Sequence, residues 1–250
     1  MEWIMANWKT ATVKEIVWWN KRLFSLIVQA QIEPFKAGQF TKLALVNEGN
    51  RIARAYSFVN PPSHADLEFY LINVEDGLLS PPLGQLKAGD QLQIASQASG
   101  FFTLDEVPAA EQLWLLATGT AIGPFLSILQ NEEVWDKFKT IHLVHGVRKK
   151  EDLSYRDLIN QLMERHSQLK YVSLLSQEKN LDGLNGRITT ALEQKSLEQY
   201  FAVQATPNNS QFMICGNPAM VKESCQILLN QGFRRNRRSE PGQITVEQYW

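Results

Sequence analysis

The sequence predicts a two-domain chain, an N-terminal antiparallel β-barrel followed by a C-terminal α/β domain built on a parallel sheet. Three observations carry this. The chain has 250 residues, long for one hydrophobic core and comfortable for two. Hydrophobic residues make up 44% and charged residues 20%, a globular balance rather than a disordered one. Short apolar runs separated by turn residues fill the first hundred positions, whereas after Pro108 such runs alternate with helix-length amphipathic segments. The expected domains are 5–105 and 109–250, with Pro108 in the linker.

In the first half, residues 23–28, 43–46 and 67–74 read as strands, broken by Gly38, Gly49, Gly77 and Gly89-Asp90. That spacing is the pattern of a small antiparallel barrel. Residues 78–86 contain Ser80-Pro81-Pro82 and read as a short helix capped by Ser80, with proline in its first turn. In the second half, 113–117 is a buried strand, 124–131 a helix and 141–145 another buried strand. Residues 153–166 carry Leu158, Ile159, Leu162 and Met163 at helical spacing. A strand at 171–175, a helix beginning at 188–192, a last clear strand at 212–215 and a last helix at 219–229 complete the order. Alternating strands and helices imply a parallel sheet with right-handed crossovers, which binds ligands beyond the carboxyl ends of its strands.

Lys and Arg (25) nearly cancel Asp and Glu (26), which argues against wholesale nucleic-acid binding. Cys215 and Cys225 allow one bridge at most and fit free thiols in a reducing compartment. No window approaches the ~20 apolar residues of a membrane span and no secretory leader pattern is visible, so a cytoplasmic, membrane-free protein is expected, and a monomer. His64, His142, His145 and His166 lack metal-ligand spacing, so no metal site is assigned. Trp18-Trp19, Trp114 and Trp135 read as core or surface aromatics. Trp250 is the unusual one of seven tryptophans, because a free end frays unless something ties it down.

Three loops can carry chemistry. Thr118-Gly119-Thr120-Ala121-Ile122-Gly123-Pro124 lies between a buried strand and a helix, where glycines let backbone amides approach a phosphate. It lacks the spacing of a dinucleotide fingerprint and the lysine of a P-loop, so a tight strand-to-helix turn is an equal reading. Cys215-Gly216-Asn217-Pro218 places Asn217 as a helix N-cap and Pro218 at the first helical position. Two such loops on one sheet would line one crevice. In Arg54-Ala55-Tyr56-Ser57, alternation puts Arg54 and Tyr56 on one strand face and Ala55 and Ser57 on the other, unless a bulge intervenes. A cation beside an aromatic plane suits a phosphate-bearing planar ligand, and a solvated strand is the competing reading.

The ordered set of fragments is more telling. RAYSFVNPP (54–62), EFYLINVEDGLLSPPL (68–83), ASGFFTLDEVP (98–108), LATGTAIGPFLSILQ (116–130), CGNPAM (215–220) and the terminal Tyr249-Trp250 resemble the bacterial ferredoxin (flavodoxin)-NADP reductases over essentially the whole chain. Met5 aligns with the start of that family better than Met1 does. The resemblance implies an FAD-binding barrel and an NADP-binding α/β domain whose tail returns to the flavin. It also implies hydride transfer from NADPH to FAD, then single electrons passed to ferredoxin or flavodoxin, reversibly in principle.

By the same resemblance, Arg54, Ala55, Tyr56, Ser57 and Glu247 bind the FAD: Arg54 pairs with the flavin pyrophosphate, Tyr56 stacks on the isoalloxazine and Ser57 lies near its N5. Tyr70, Leu78, Leu79 and Ser80 hold more of the dinucleotide, Thr120 lies where the domains meet, and Tyr249 and Trp250 pack on the FAD. Ser57, Cys215 and Glu247 are the candidate catalytic groups, with a packed thiol and a solvated carboxylate as the plainer readings of the last two. Gly119, Gly216 and Asn217 face the NADP. Selectivity for its 2′-phosphate falls to Arg148, Ser176 and Arg187, but Gln177 stands where close relatives carry an arginine. NADPH preference is therefore expected, weaker than in arginine-bearing relatives. Arg234, Arg235, Arg237 and Arg238, four arginines within five residues, read either as a solvated run or as a docking surface for an acidic redox partner. A flavin reductase, an oxygenase reductase component and a non-catalytic flavin-binding redox sensor are the rival functions.

Overall fold

A computed structural model describes residues 7–47 and 49–249. Trp250, to which a role against the flavin is attached above, lies outside them, as does Met5. The first sheet is antiparallel, with strands β1 (Trp8–Trp18), β2 (Leu23–Gln29), β3 (Phe40–Asn47), β4 (Asn50–Ser57), β5 (Leu67–Ile72) and β6 (Gln91–Ala95) in the order β4-β3-β6-β1-β2-β5. Its two end strands approach each other: Phe58 bridges Phe69, and Val59 N–H donates to Glu68 O at 2.9 Å. This curls the sheet into a barrel around Phe24, Leu26, Leu43, Phe58, Phe69 and Ile94.

Helix α1 (Ser80–Gly84) connects β5 to β6 with Pro81 and Pro82 in its first turn. Ser80 is not its cap, contrary to expectation. It is the first helical residue, and its Oγ accepts from Val74 N–H at 3.0 Å, closing the preceding turn instead.

The second sheet is wholly parallel. Strands β7 (Gln112–Thr118), β8 (Thr140–Val147), β9 (Leu169–Leu175), β10 (Leu184–Asn185), β11 (Ser210–Gly216) and β12 (Ile244–Gln248) lie in the order β10-β9-β8-β7-β11-β12. The crossovers carry α2 (Gly123–Leu129), α3 (Glu133–Lys137), α4 (Arg156–Arg165), α5 (Ile188–Glu193), α6 (Ser196–Phe201) and α7 (Pro218–Asn230). Period-two alternation divides the central strands β7, β8, β9 and β11 between two cores. Leu113, Leu115 and Ala117 pack with Phe125 and Ile159 on one face. Trp114 and Leu116 pack with Ile188, Val221 and Leu228 on the other.

The second half also differs from expectation: α3, α6 and β10 have no counterpart among the expected segments. The helix after β7 begins at Gly123, one 3-10 turn (Gly119–Ile122) intervening. The segment 153–166 becomes helical only at Arg156, because Tyr155 takes a left-handed φ of 60°. Strand β12 follows the expected last strand, its extended state coming from pairing with β11.

The first core also includes Leu23, Val59, Tyr70 and Phe102, so apolar packing runs between the two sheets. Polar contacts fix the junction. Ser127 Oγ donates to Asn60 O at 2.7 Å and Gln130 Nε2 to Val59 O at 2.9 Å. Tyr70 O–H donates to Ser154 Oγ at 2.6 Å, and Tyr155 O–H to Glu68 Oε1 at 2.6 Å. Ser25 also bonds the Tyr155 hydroxyl and accepts from Trp19 Nε1 at 2.9 Å. Such a network holds Tyr155 in a backbone region that a non-glycine residue rarely occupies.

Candidate active site between the two sheets

Strand β4 is last in the barrel order: among the described residues no strand forms a ladder with its outer edge, and β5 bridges it only just beyond Ser57, at Phe58–Phe69. A cavity of about 530 Å³ runs along it. Arg54, Ala55, Tyr56 and Ser57 all border this cavity, although β4 pairs with β3 without a bulge. An open edge exposes both strand faces and the backbone, which is why the expected division into two faces does not segregate these residues. Tyr70, Leu78, Leu79 and Ser80 form a second wall, and the α/β domain contributes Thr120, Glu247 and Tyr249. Phe40, Val74 and Gln248 border it as well; their sequence context gave no reason to single them out.

Electrostatically the cavity has one titratable group poised near neutrality. Glu247 lies opposite Cys215 in the parallel register. Burial raises its carboxyl from 4.5 to about 7, with the Ser57 hydroxyl pulling the other way. Its Oε2 is buried without a hydrogen-bond partner among the described residues. Burial also holds the Tyr56 phenol up to about 12, so it remains a neutral flat surface. Cys215 stands apart from the cavity lining. It is fully buried in the core below Glu247, and burial first, then the Glu247 charge, pushes its thiol well above the usual range. Burial there favours the protonated thiol over the thiolate that a nucleophile needs.

The carboxyl ends of β7 and β11 are adjacent and lie where the strand order reverses, the switch point at which open α/β sheets bind ligands. Gly216 has φ +136°, and a Cβ there would stand 2.1 Å from Thr118 Oγ1. Thr118 Oγ1 instead accepts from Asn217 N–H at 3.0 Å, and Asn217 Oδ1 caps α7 by accepting from Ala219 N–H at 2.9 Å. The Gly119 carbonyl accepts from His145 Nε2 at 3.0 Å. Since a carbonyl only accepts, the proton is on Nε2. Burial lowers this imidazole to about 4, keeping it a neutral brace for the loop. Sequence reasoning left His145 as merely structural; only its contact across adjacent strands discloses the brace.

Arg148 directly follows β8, and Gln177 N–H donates to Arg148 O at 2.9 Å. Ser176 is tied to the same turn through Val147 O. Arg148 and Gln177 border a second cavity of about 630 Å³. Arg187, at the N-cap of α5, is exposed and not on its lining.

Residues 10–102 match the oxidoreductase FAD-binding domain family and residues 115–226 the oxidoreductase NAD-binding domain family. The flavodoxin/ferredoxin–NADP reductase of Escherichia coli (strain K12) is 47% identical over 248 residues, covering 98% of this chain and 100% of the relative. The like-named protein of Buchnera aphidicola subsp. Schizaphis graminum is 45% identical over 258 residues, with the same coverage of both chains. The chain belongs to the flavodoxin/ferredoxin–NADP reductase family. Among solved structures, a ferredoxin NADP+ reductase from Neisseria gonorrhoeae with bound FAD and NADP superimposes with a TM-score of 0.94. It shares 32% identity and covers 98% of this chain and 100% of its own.

The first cavity fits the larger cofactor of this reductase family. Its volume is within the roughly 300–1,000 Å³ of small-molecule sites, and it presents a cation, a neutral aromatic plane and an unpartnered buried carboxyl oxygen. The adjoining glycine-bearing strand ends suit the nicotinamide nucleotide.

Proposed function

We propose that the protein is an FAD-dependent oxidoreductase that takes hydride from NADPH and delivers single electrons to ferredoxin or flavodoxin. The observation that carries this reading is the cavity along β4, closed on one side by the barrel and on the other by Thr120, Glu247 and Tyr249. A bound flavin there supplies the conversion between two-electron and one-electron transfer. The chain's own residues bind and orient. Arg54 offers forked donors to the pyrophosphate, Tyr56 a rigid surface for the ring, and Ser57 with Glu247 a polar edge at the reacting side. Glu247, neutral below about pH 7, is able to donate a proton or a hydrogen bond at that edge. Gly119, Gly216 and Asn217 admit the nicotinamide nucleotide from the switch point, where near-attack placement is the main task.

We further infer that the arginine-rich turn docks the acidic redox partner. Arg234, Arg235, Arg237 and Arg238 are all exposed. Arg238 is engaged, forking onto Glu106 and lying 4.0 Å over the Phe101 ring, and Arg234 is 3.8 Å from Glu240. Arg235 and Arg237 make no ion pair among the described residues and are the better candidates for steering.

Purified protein with a flavin spectrum that bleaches with NADPH without oxygen, and recovers on adding oxidised flavodoxin or ferredoxin, is the expected result. A protein that takes up no FAD would overturn the reading. Neutralising Arg235 and Arg237 should slow partner reduction while leaving reduction of a small artificial acceptor intact; a parallel loss of both would reject the docking role.

A further inference from the structure

The second cavity is lined from both domains, and its barrel-side residues have no part in the function so far. Asn20, Lys21 and Arg22, in the turn between β1 and β2, face Arg148, Lys149, Glu151, Asp152 and Gln177 of the α/β domain. Four of these eight are cations. Asn20 fixes the arrangement. Its Oδ1 accepts from the backbone amides of Arg22 and Leu23 at 2.8 and 2.9 Å, shaping the turn, while Nδ2 donates to Glu151 O at 2.8 Å. Arg22 is held from behind too, its carbonyl accepting from Asn73 N–H at 2.6 Å.

The two carboxylates are already engaged. Asp152 accepts from Asn20 Nδ2 at 3.2 Å and from Lys149 N–H at 3.1 Å, and Glu151 lies 3.7 Å from Lys149 Nζ. Lys21, Arg22 and Arg148 make no ion pair among the described residues. The uncompensated charge is therefore positive and borders Gln177, which hydrogen-bonds but carries no charge.

We propose that Lys21 and Arg22 are specificity residues: the barrel's β1–β2 turn supplies, across the domain junction, the positive charge that Gln177 does not, and receives the 2′-phosphate of NADPH together with Arg148. This inference rests on the proposed NADPH:flavin reading. It makes selectivity a property of both domains, since a turn pinned by Asn20 keeps its cations over the cavity only while the domains stay docked.

The test titrates FAD-loaded protein with 2′-phospho-AMP and with 5′-AMP by calorimetry, at low and moderate salt. The Lys21→Ala/Arg22→Ala variant should bind 2′-phospho-AMP about tenfold more weakly or worse, as expected for lost charge-assisted contacts. Its 5′-AMP affinity should stay within about twofold, and its affinity for 2′-phospho-AMP should depend less on salt. Lys21→Gln/Arg22→Gln should behave alike, because charge and not packing is removed. Adding Gln177→Arg to either variant should restore discrimination. An unchanged ratio of the two affinities, or an equal loss for both ligands, would overturn the proposal. Wild-type protein that binds neither nucleotide, with a flavin that NADPH does not bleach, would instead overturn the underlying reading.

Discussion

Replacing Glu247 by Gln removes one titration from the cavity proposed for the flavin, and the structure sets its size and sign. The carboxyl is raised from 4.5 to about 7, chiefly by burial. In the unfolded chain it releases its proton near the lower value, in the folded protein near the higher. Between the two the unfolded state binds fewer protons, so stability falls as pH rises and levels off above about 7. At about 1.4 kcal/mol per pKa unit the full loss is roughly 3 kcal/mol. Glu247→Gln retains shape and polarity without this slope. Urea unfolding of FAD-free protein at intervals from pH 4 to 8 should show the variant gaining on the wild type by up to roughly 3 kcal/mol across the window. His142 and His145 titrate in both proteins and cancel in the difference. A stability difference that does not change with pH would refute the assignment of a neutral, buried Glu247. In FAD-loaded protein, flavin reduction by NADPH should show a transition near pH 7 that the variant lacks.

Tyr155→Phe strips the hydroxyl that joins Glu68 at 2.6 Å and Ser25 at the domain junction, and should lower the stability measured by urea unfolding by about 1–3 kcal/mol, because buried partners are left unsatisfied. Gly216→Ala forces a Cβ toward Thr118 Oγ1, at 2.1 Å, in a backbone conformation of φ +136°; strain of about 1–3 kcal/mol and weakened nucleotide binding should follow. Adding Thr118→Ala should recover only part of both, since the backbone strain remains. His142 is buried beside Trp114 and Phe201 with neither ring nitrogen hydrogen-bonded among the described residues, and burial lowers it to about 4. Stability should therefore fall as pH drops below about 6.5, where the unfolded imidazole gains a proton that the folded one refuses. His142→Phe should flatten this acid limb and raise the thermal midpoint at pH 5.

The sheets were legible where both faces of a strand are buried. The run 113–117 is apolar at every position because Leu113 and Trp114 serve opposite cores, and that continuity marks a parallel strand from sequence alone. Asn217 and Pro218 were equally legible, because a cap and its first-turn proline act within four residues. Ser80 was misread for the complementary reason: a hydroxyl before a helix has competing local amides, and here Val74 N–H wins. The strand 244–248 escaped notice since its conformation depends on a partner some thirty residues earlier. Most of the flavin cavity was accessible only through the ordered fragments resembling a known family. Lys21 and Arg22 were accessible by neither route, because their proposed role depends on their lining one cavity with Arg148 across the domain junction.

On the proposed reading, the position of β12 explains how one short segment would serve two cofactors. It pairs in parallel with β11 in the register Cys215–Glu247 and Gly216–Gln248, and one further bond runs from Tyr249 N–H to Gly216 O at 3.1 Å. The glycine at the switch point is thereby level with residues that border the first cavity. On the proposed reading, a nucleotide entering over Gly216 would meet the polar edge formed by Glu247 and Ser57, since β11 and β12 are neighbours in the sheet. Moving β12 by one residue would turn Glu247 to the opposite face of the sheet, away from the cavity, while leaving the barrel and its Arg54–Ser57 strand untouched. Register in this last strand is thus the feature that, on the proposed reading, joins the barrel cavity and the strand-end crevice into a single reaction site.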